Sequence, residues 1–590
     1  MFSAMRKDQA AEILTEIATL LELKGENPFK SRAYVSAARA LESLNEPLER
    51  AFAPDSEIKI KGIGDGIHKK IVELVATGRL GYYEDLKASM PPGLTIMLAI
   101  PGLGPKKIKA MHDKLGIETV EQLEKACVEG KVAALAGFGE KTQANILAGI
   151  EFRRKHGSRH HLSDALAAAE PLLESLRNHP DVVRCSAAGS LRRSKEIIGD
   201  IDLLASSRNP AGVLLYFTQQ PGVESVSAKG ETKASVVLTG GIQADLRVVS
   251  DAEFPFALAY FTGSKEHNIV MRQRAIQRGL RLNEYGLFKS DVETRDPALL
   301  VKCATEDEIF RTLGLDYVAP ELREDAGEFA AAEAHSLPHL LEWTELKGSL
   351  HNHSTWSDGH CTTTEIAEFA EELGCQYWAI TDHSKSSVQA NGLDTARLSQ
   401  EFAEIAAINR KLEKGESDFR LLTGTEVDIL PGGKLDFDDD VLAQLDVVVA
   451  SIHSSFSQSE AEMTNRLIAA AQNRWVHMLG HLTGRLLLER DGYKVNHTAV
   501  IDACAETGTW IELNASPYRF DMDWRFWHYA KEKGVKCVIN CDSHRHEHAA
   551  WLRLGAGMAR KGWLEKRDVI NTLPLPQLLK ALKQKREKRA

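Results

Sequence analysis

Two carboxylates interrupt an apolar run in "GSLRRSKEIIGDIDLLASS" (189–207): Asp200 and Asp202. In a strand, residues two apart share a face, so both carboxylates project together while Ile201 points away. Like charges at that spacing repel and are costly to desolvate unless a cation lies between them. A second apolar stretch, "IQADLRVV" (242–249), carries Asp245 in the same way. Three inward carboxylates on adjacent strands make a hard-oxygen site suited to two Mg²⁺ or Mn²⁺ ions rather than to a thiolate-loving metal. Two such ions activate an attacking hydroxyl and stabilise the leaving oxygens of a phosphoryl transfer. Gly189-Ser190 and Arg192-Arg193, just upstream, are placed to hold a triphosphate.

A second set of chemistry-bearing residues lies in the carboxy-terminal half, each following a short apolar stretch. "LKGSL" leads to His351 and His353, then Asp358; "YWAIT" leads to Asp382-His383; "RLLTGT" leads to Glu426. "DVVVASI" ends at His453, "VHMLG" at His481, "TWIEL" at Asn514, and "VKCVIN" leads to Asp542 and His544. These apolar stretches alternate with longer amphipathic ones, the texture of βα units. In a closed βα barrel the carboxyl ends of all strands meet at one face, so seven strands deliver these groups to one cavity. The six histidines, with Asp358, Glu426 and Asp542, form a mixed nitrogen and oxygen set that suits Zn²⁺, Mn²⁺ or Fe²⁺. Clustered ions of this kind favour phosphoester hydrolysis by activated water.

The amino-terminal third repeats one short pattern: "IKGIGDGIHKKI" (60–71), "IPGLGPKKIKAM" (100–111) and "LAGFGEKTQANI" (135–146). Glycines such as Gly62, Gly64, Gly102 and Gly104 permit a tight turn whose backbone N–H groups point outward at a helix N-terminus, where an anion is favoured. Basic or amide residues follow in the first turns, as in a helix-hairpin-helix module that grips DNA phosphate without reading bases. Lys69 and Lys70 add an amine pair; an amine beside other cations can lose its proton and attack an aldehyde.

The elements that must position these groups need more than one core, since the chain has 590 residues. Net charge is −10, but residues 1–160 hold 24 Lys+Arg against 21 Asp+Glu, a balance of +3, leaving −13 for the rest. Long-range attraction to phosphate is therefore weak, and nucleic-acid contact must be local. No apolar stretch is long enough for a membrane span. The charged amino terminus lacks a signal peptide's apolar segment, so export is not expected. Eight cysteines without a Cys-x-x-Cys pair suit a reducing cytoplasm.

Segment 1–318 resembles a family X DNA polymerase of the polymerase beta type, within the nucleotidyltransferase superfamily. The palm stretch beginning at Gly189 carries the likeness, with "YFTGSKEHNIVMRQRA" (260–275) and "NEYGL" (283–287) matching the family's thumb. The resemblance makes Asp200, Asp202 and Asp245 the catalytic triad, with Ser190 and Arg193 on phosphate. It puts Tyr260 and Phe261 at the sugar, near Gly263, and Asn268 and Arg272 at the nascent pair. Lys30, Tyr34 and Lys70 fall on its phosphate-binding and lyase-lysine positions. Gly66 stands where the family often has lysine, and Lys265-Glu266-His267 replaces a usual Asp-x-aromatic.

The last part resembles the PHP (polymerase and histidinol phosphatase) domain through "SLHNHSTWSDG" (349–359), which departs only in Ser349, usually Asp. That likeness implies one ion on His351, His353, Glu426 and Asp542, a second sharing Glu426 with His453 and His481, and a third on Asp358, His383 and His544.

The expected architecture is multidomain. A small helical lyase-like domain occupies 1–85, a fingers-like helix-hairpin-helix region 86–158, and an α+β palm 159–252. The thumb covers 253–318, an acidic, Ala-rich linker 319–345, and a (β/α)7 PHP barrel 346–590. The expected function is gap-filling DNA synthesis in base-excision repair from dNTPs on gapped or primer-template DNA, by a cytoplasmic monomer. The barrel is expected to act as a 3′-5′ exonuclease or 3′-end processing enzyme, with abasic-site lyase or endonuclease action as an extra. Two rival readings are a small-molecule phosphatase whose front half only docks DNA, and a non-catalytic DNA-end scaffold.

Overall fold

The computed structural model describes residues 7–42, 44, 48–53, 60–98, 100, 103–157, 159–289 and 296–587. The chain divides into two compact units, Met1–Gly157 and Ser158–Ala590.

The first unit is helical. Helices Lys7–Lys24 and Pro28–Glu42 bury Leu14, Ile17, Leu21, Ala37 and Leu41, which recur at helical spacing, in one apolar core. Helices Asp65–Thr77, Pro105–Leu115 and Gly139–His156 follow the three repeated turns. Gly62 has φ +95°, a left-handed conformation that side chains disfavour, so glycine is required at that turn.

The second unit opens with a five-stranded mixed sheet. Its spatial order is Val182–Ala187, Asp200–Ser207, Gln243–Val249, Lys233–Leu238, Val223–Lys229. Strands Asp200–Ser207 and Gln243–Val249 run parallel with Asp202 opposite Asp245, so the two interrupting carboxylates become neighbours. Helices Leu162–Arg177 and Pro210–Thr218 bury their apolar faces with this sheet. Helices Phe254–Thr262 and Lys265–Gln277 come next.

Seven parallel strands then follow in sequential order: Gly348–Ser349, Tyr377–Ile380, Arg420–Asp428, Val447–Ser451, Met478–Leu479, Trp510–Asn514 and Cys537–Asn540. Runs such as Val447-Val448-Val449-Ala450 are buried on both faces, as parallel strands under covering helices must be. A parallel bridge between Asn352 and Ser543 joins the two ends of the sheet and nearly closes it. Capping boxes at Thr362/Glu365 and Ser459/Glu462 start two of the crossover helices. Helix Leu575–Glu587 inserts Leu578 and Leu582 beside Tyr377, Val447 and Met478, and its Leu582 carbonyl meets His477 Nε2.

The segment 319–345, expected to be a linker, is instead packed into this unit. Leu322 and Ala332 join the core of the thumb with Met271, Leu287 and Phe310, and Arg323 and Glu328 are fully buried. One continuous apolar cluster runs from Leu162, Ile201 and Leu246 to Trp378, Val448 and Ile511. The barrel therefore shares its core with the palm. The acidic, alanine-rich texture misleads because few of its residues are buried, and two of those, Arg323 and Glu328, are charged and pair with Glu306 and His267 outside the segment.

Candidate active sites

Ligand oxygens of Asp200, Asp202 and Asp245 lie within 4.8 Å of one another, a spacing a metal ion could occupy. Burial, then the charges of Asp200 and Asp245, push the Asp202 carboxyl up to about 6. Lys233, on the strand beside Asp245, approaches Asp245 Oδ2 at 2.6 Å, a partner without a local sequence signal. Gly189 has φ +58°, and a Cβ there would stand 2.0 Å from Asp202 Oδ2, so only glycine allows this approach.

Asp200 and Asp202 open onto a cavity of about 360 Å³ whose walls also include Ser190, Arg193, Tyr260, Phe261, Gly263, Asn268 and Arg272. Lys265 belongs to the same wall. Tyr260 and Phe261 meet edge to face at 5.2 Å, and Asn268 Nδ2 donates to the Tyr260 carbonyl at 2.7 Å. Arg193 donates from Nε to Glu324 Oε1 at 3.1 Å and from Nη1 to the Thr262 carbonyl. Arg192 does not share the expected triphosphate role. Its guanidinium turns away to grip buried Glu306 through two bonds of 3.0 and 2.5 Å, and Arg323 holds the same carboxylate at 2.7 Å. The departure at His267 also has a structural account. Its buried ring stacks on Phe329 at 4.6 Å, and its Nδ1 meets Glu328 Oε1 at 2.8 Å.

At the carboxyl ends of the barrel strands the nine expected ligands converge around Glu426. Its Oε1 lies 3.3 Å from His351 Nε2, 3.2 Å from His453 Nε2 and 2.9 Å from His481 Nε2. Its Oε2 lies 2.8 Å from His383 Nδ1 and 3.7 Å from His353 Nε2. Asp542 Oδ1 is 3.1 Å from His353 Nε2 and 3.8 Å from His351 Nε2. Asp358 Oδ1 is 3.7 Å from His383 Nε2 and 3.4 Å from His544 Nε2. Both Glu426 oxygens, His351 Nε2, both His353 nitrogens and His383 Nδ1 are buried without hydrogen-bond partners. Such close but misaligned polar atoms fit a shared cation, because buried polar groups are otherwise hydrogen-bonded. Burial opposes charge on Glu426, yet His453, His351 and His383 hold its carboxyl well below the usual range.

Two carboxylates behind the ligands escaped the strand-end pattern. Glu512 Oε1 accepts from His351 Nδ1 at 2.7 Å, and its Oε2 accepts from the His481 N–H at 2.6 Å. Asp428 Oδ1 meets His453 Nδ1 at 2.9 Å. Each lies two residues from a group already singled out, Asn514 and Glu426, hence on the same strand face. That period was the available signal.

In the helical unit, Lys30 and Lys70 sit over the Tyr82 ring at 5.9 and 4.5 Å, and Tyr34 stacks on it at 6.2 Å. Tyr34 is only 3 % exposed, so its ring belongs to the core rather than to an open phosphate surface. Gly62, Gly64 and Gly104 are exposed at their turns, as the hairpins require; Gly102 lies outside the described residues.

Palm and barrel together thus define a chain with a nucleotidyltransferase-like acidic site and a histidine-rich, phosphoesterase-like one. Comparison with known families matches four segments of the chain. The helix-hairpin-helix domain matches residues 5–80, the SAM-like helix-hairpin-helix tandem 94–151, the DNA polymerase beta thumb 257–324, and the PHP domain 349–516. The chain is 40% identical over 581 residues to the DNA polymerase/3′-5′ exonuclease PolX of Bacillus subtilis (strain 168), covering 98% of this chain and 100% of that protein. It is 25% identical over 336 residues to DNA polymerase lambda of Rattus norvegicus, covering 53% of this chain and 55% of that one. A probable phosphatase of Thermoanaerobacter sp. (strain X514) is 28% identical over 256 residues, 40% of this chain and 95% of that protein. The chain belongs to the PolX family, the family X DNA polymerases that carry a carboxy-terminal PHP domain.

Proposed function

We propose that the chain is a DNA-directed DNA polymerase that fills gaps during repair and whose barrel removes nucleotides from DNA 3′ ends. The observation that carries this reading is the opening of Asp200 and Asp202 onto one cavity with Ser190, Arg193 and Tyr260. In this reading Asp200, Asp202 and Asp245 hold Mg²⁺ or Mn²⁺. Ser190 and Arg193 take the triphosphate, Tyr260 and Phe261 the sugar, and Asn268 and Arg272 the nascent pair. In the barrel, His351, His353, Glu426 and Asp542 hold one Mn²⁺, Zn²⁺ or Fe²⁺ ion. Glu426, His453 and His481 hold a second, and Asp358, His383 and His544 a third. Bound cations would activate the primer hydroxyl in the palm and water in the barrel, and would neutralise charge building on phosphate oxygens.

The helical hairpins grip the DNA backbone without base preference, with Lys30 and Lys70 both beside the Tyr82 ring. Among the described residues no disulfide joins two cysteines, which supports a cytoplasmic setting, and no helix is long and apolar enough to cross a membrane. The probable phosphatase matches only 40% of this chain, whereas the PolX relative matches 98% of it, which favours the coupled activity over a small-molecule phosphatase.

The test is a 5′-labelled primer on gapped DNA. Extension with dNTPs, and stepwise shortening from the 3′ end without them, stronger with Mn²⁺ than with Mg²⁺, is expected. Phosphate release from a small phosphomonoester with neither DNA reaction would overturn the reading.

A further inference from the structure

Lys561 ends helix Trp551–Lys561 on the outside of the barrel, yet it is 0 % exposed. Its ammonium donates to the Glu324 Oε1 at 2.6 Å, to the Arg193 carbonyl at 3.1 Å and to the Glu321 carbonyl at 3.2 Å. The Trp524 ring lies 4.7 Å from it. An ammonium has three protons, and all three are placed, so the side chain has one direction.

Glu324 relays that placement. The same Oε1 accepts from Arg193 Nε, and its Oε2 meets Lys195 Nζ at 2.9 Å. Arg193 in turn lines the cavity with Asp200 and Asp202. A barrel lysine thus reaches the wall of the nucleotide cavity twice, at the Arg193 backbone directly and at its guanidinium through Glu324.

A plain docking pair between two domains would have no need to end on a cavity wall. This one takes the backbone carbonyl and, through Glu324, the guanidinium of the same arginine. It also has an electrostatic consequence. Glu324 beside Arg193 would offset the arginine's charge where an anion must bind. Lys561 and Lys195 compensate that carboxylate and leave the wall positive.

We propose that Lys561 is a positioning residue for nucleotide incorporation: the barrel fixes Glu324, and through it Arg193, so that the guanidinium faces the incoming triphosphate. This rests on the reading of Arg193 as a phosphate ligand. It also makes the barrel a structural part of the polymerase site, independent of the barrel's own chemistry.

The test is single-nucleotide incorporation on gapped DNA by the full chain, with KM for dNTP and kcat measured separately and 3′ degradation as the control for folding. Lys561→Met is expected to raise KM about tenfold, the scale of one charge-assisted hydrogen bond. Its kcat should stay within about threefold and degradation should run at the wild-type rate. Glu324→Gln should raise KM to a similar degree, and the double variant should be no worse than the more impaired single one, because both cut the same relay.

Arg193→Ala separates the two levels of the argument. If it leaves KM unchanged, the phosphate reading of Arg193 falls and the proposal falls with it. If it raises KM while Lys561→Met, degrading DNA normally, does not, the positioning role alone is overturned. Should Lys561→Met lose both activities, Glu324→Gln decides, and an unchanged KM there overturns the proposal.

Discussion

Glu512 Oε1 accepts a hydrogen bond from His351 Nδ1 at 2.7 Å, with both residues fully buried. A carboxylate can only accept here, so a proton sits on Nδ1, and Nε2 is turned toward Glu426 and Asp542, where it could offer its lone pair to a cation. The same residue's second oxygen holds the backbone at His481, so one side chain sets two of the ligands.

Glu512→Gln is therefore expected to lower barrel metal content and slow 3′ degradation by about 10- to 100-fold, the usual cost of losing an outer partner of a metal-binding histidine. Metal analysis and a degradation assay on the purified variant check this, with primer extension close to wild type. Unchanged metal content and degradation would remove Glu512 from the site.

A fragment ending at residue 320 is expected to lose extension. It would lack Arg323, Glu324 and Glu328, the buried partners of Glu306, Arg193 and His267. Each broken buried pair costs about 3–5 kcal/mol. Thermal unfolding and primer extension of the fragment test it; a stable, fully active fragment would show that 319–345 is dispensable after all.

Glu306 gives a pH signature. Burial raises its carboxyl pKa, but Arg323 and Arg192 outweigh burial and hold it down at about 2. A depressed folded-state value means the stabilisation is complete above the ordinary carboxylate pKa and fades as pH falls through it toward about 2. The stability difference between wild type and Glu306→Gln should thus be flat from neutral pH to about 5 and shrink below about 4.5. Chemical denaturation at a series of pH values measures it, and a difference that persists undiminished at pH 3 would contradict the pairing.

The sequence made the reactive residues legible where charge broke an apolar strand. Asp200, Asp202 and Asp245 stood out that way, as did each barrel ligand after its strand. Glu512 and Asp428 were legible in principle through the two-residue period, but Glu512 falls inside its strand and Asp428 stands beyond Glu426, the group already taken from its strand. Lys561 and Glu324 were not legible. Their partnership joins positions far apart in the chain, and an amphipathic helix ending in "ARK" reads as a solvated terminus. The supposed linker misled for a related reason: beside Leu322 and Ala332 it buries Arg323 and Glu328, which composition assigns to the surface.

The central claim is that two metal centres on one chain run two separate reactions, and one paired measurement tests it most directly. Asp200→Ala and His351→Ala are assayed side by side for extension and 3′ degradation of the same labelled DNA. Asp200→Ala should extend on the order of 10³-fold more slowly while degrading normally, since it loses a ligand needed in the transition state. His351→Ala should extend normally and lose degradation. Extension within a few-fold of wild type in Asp200→Ala, or wild-type degradation in His351→Ala, would contradict the assignment of that centre.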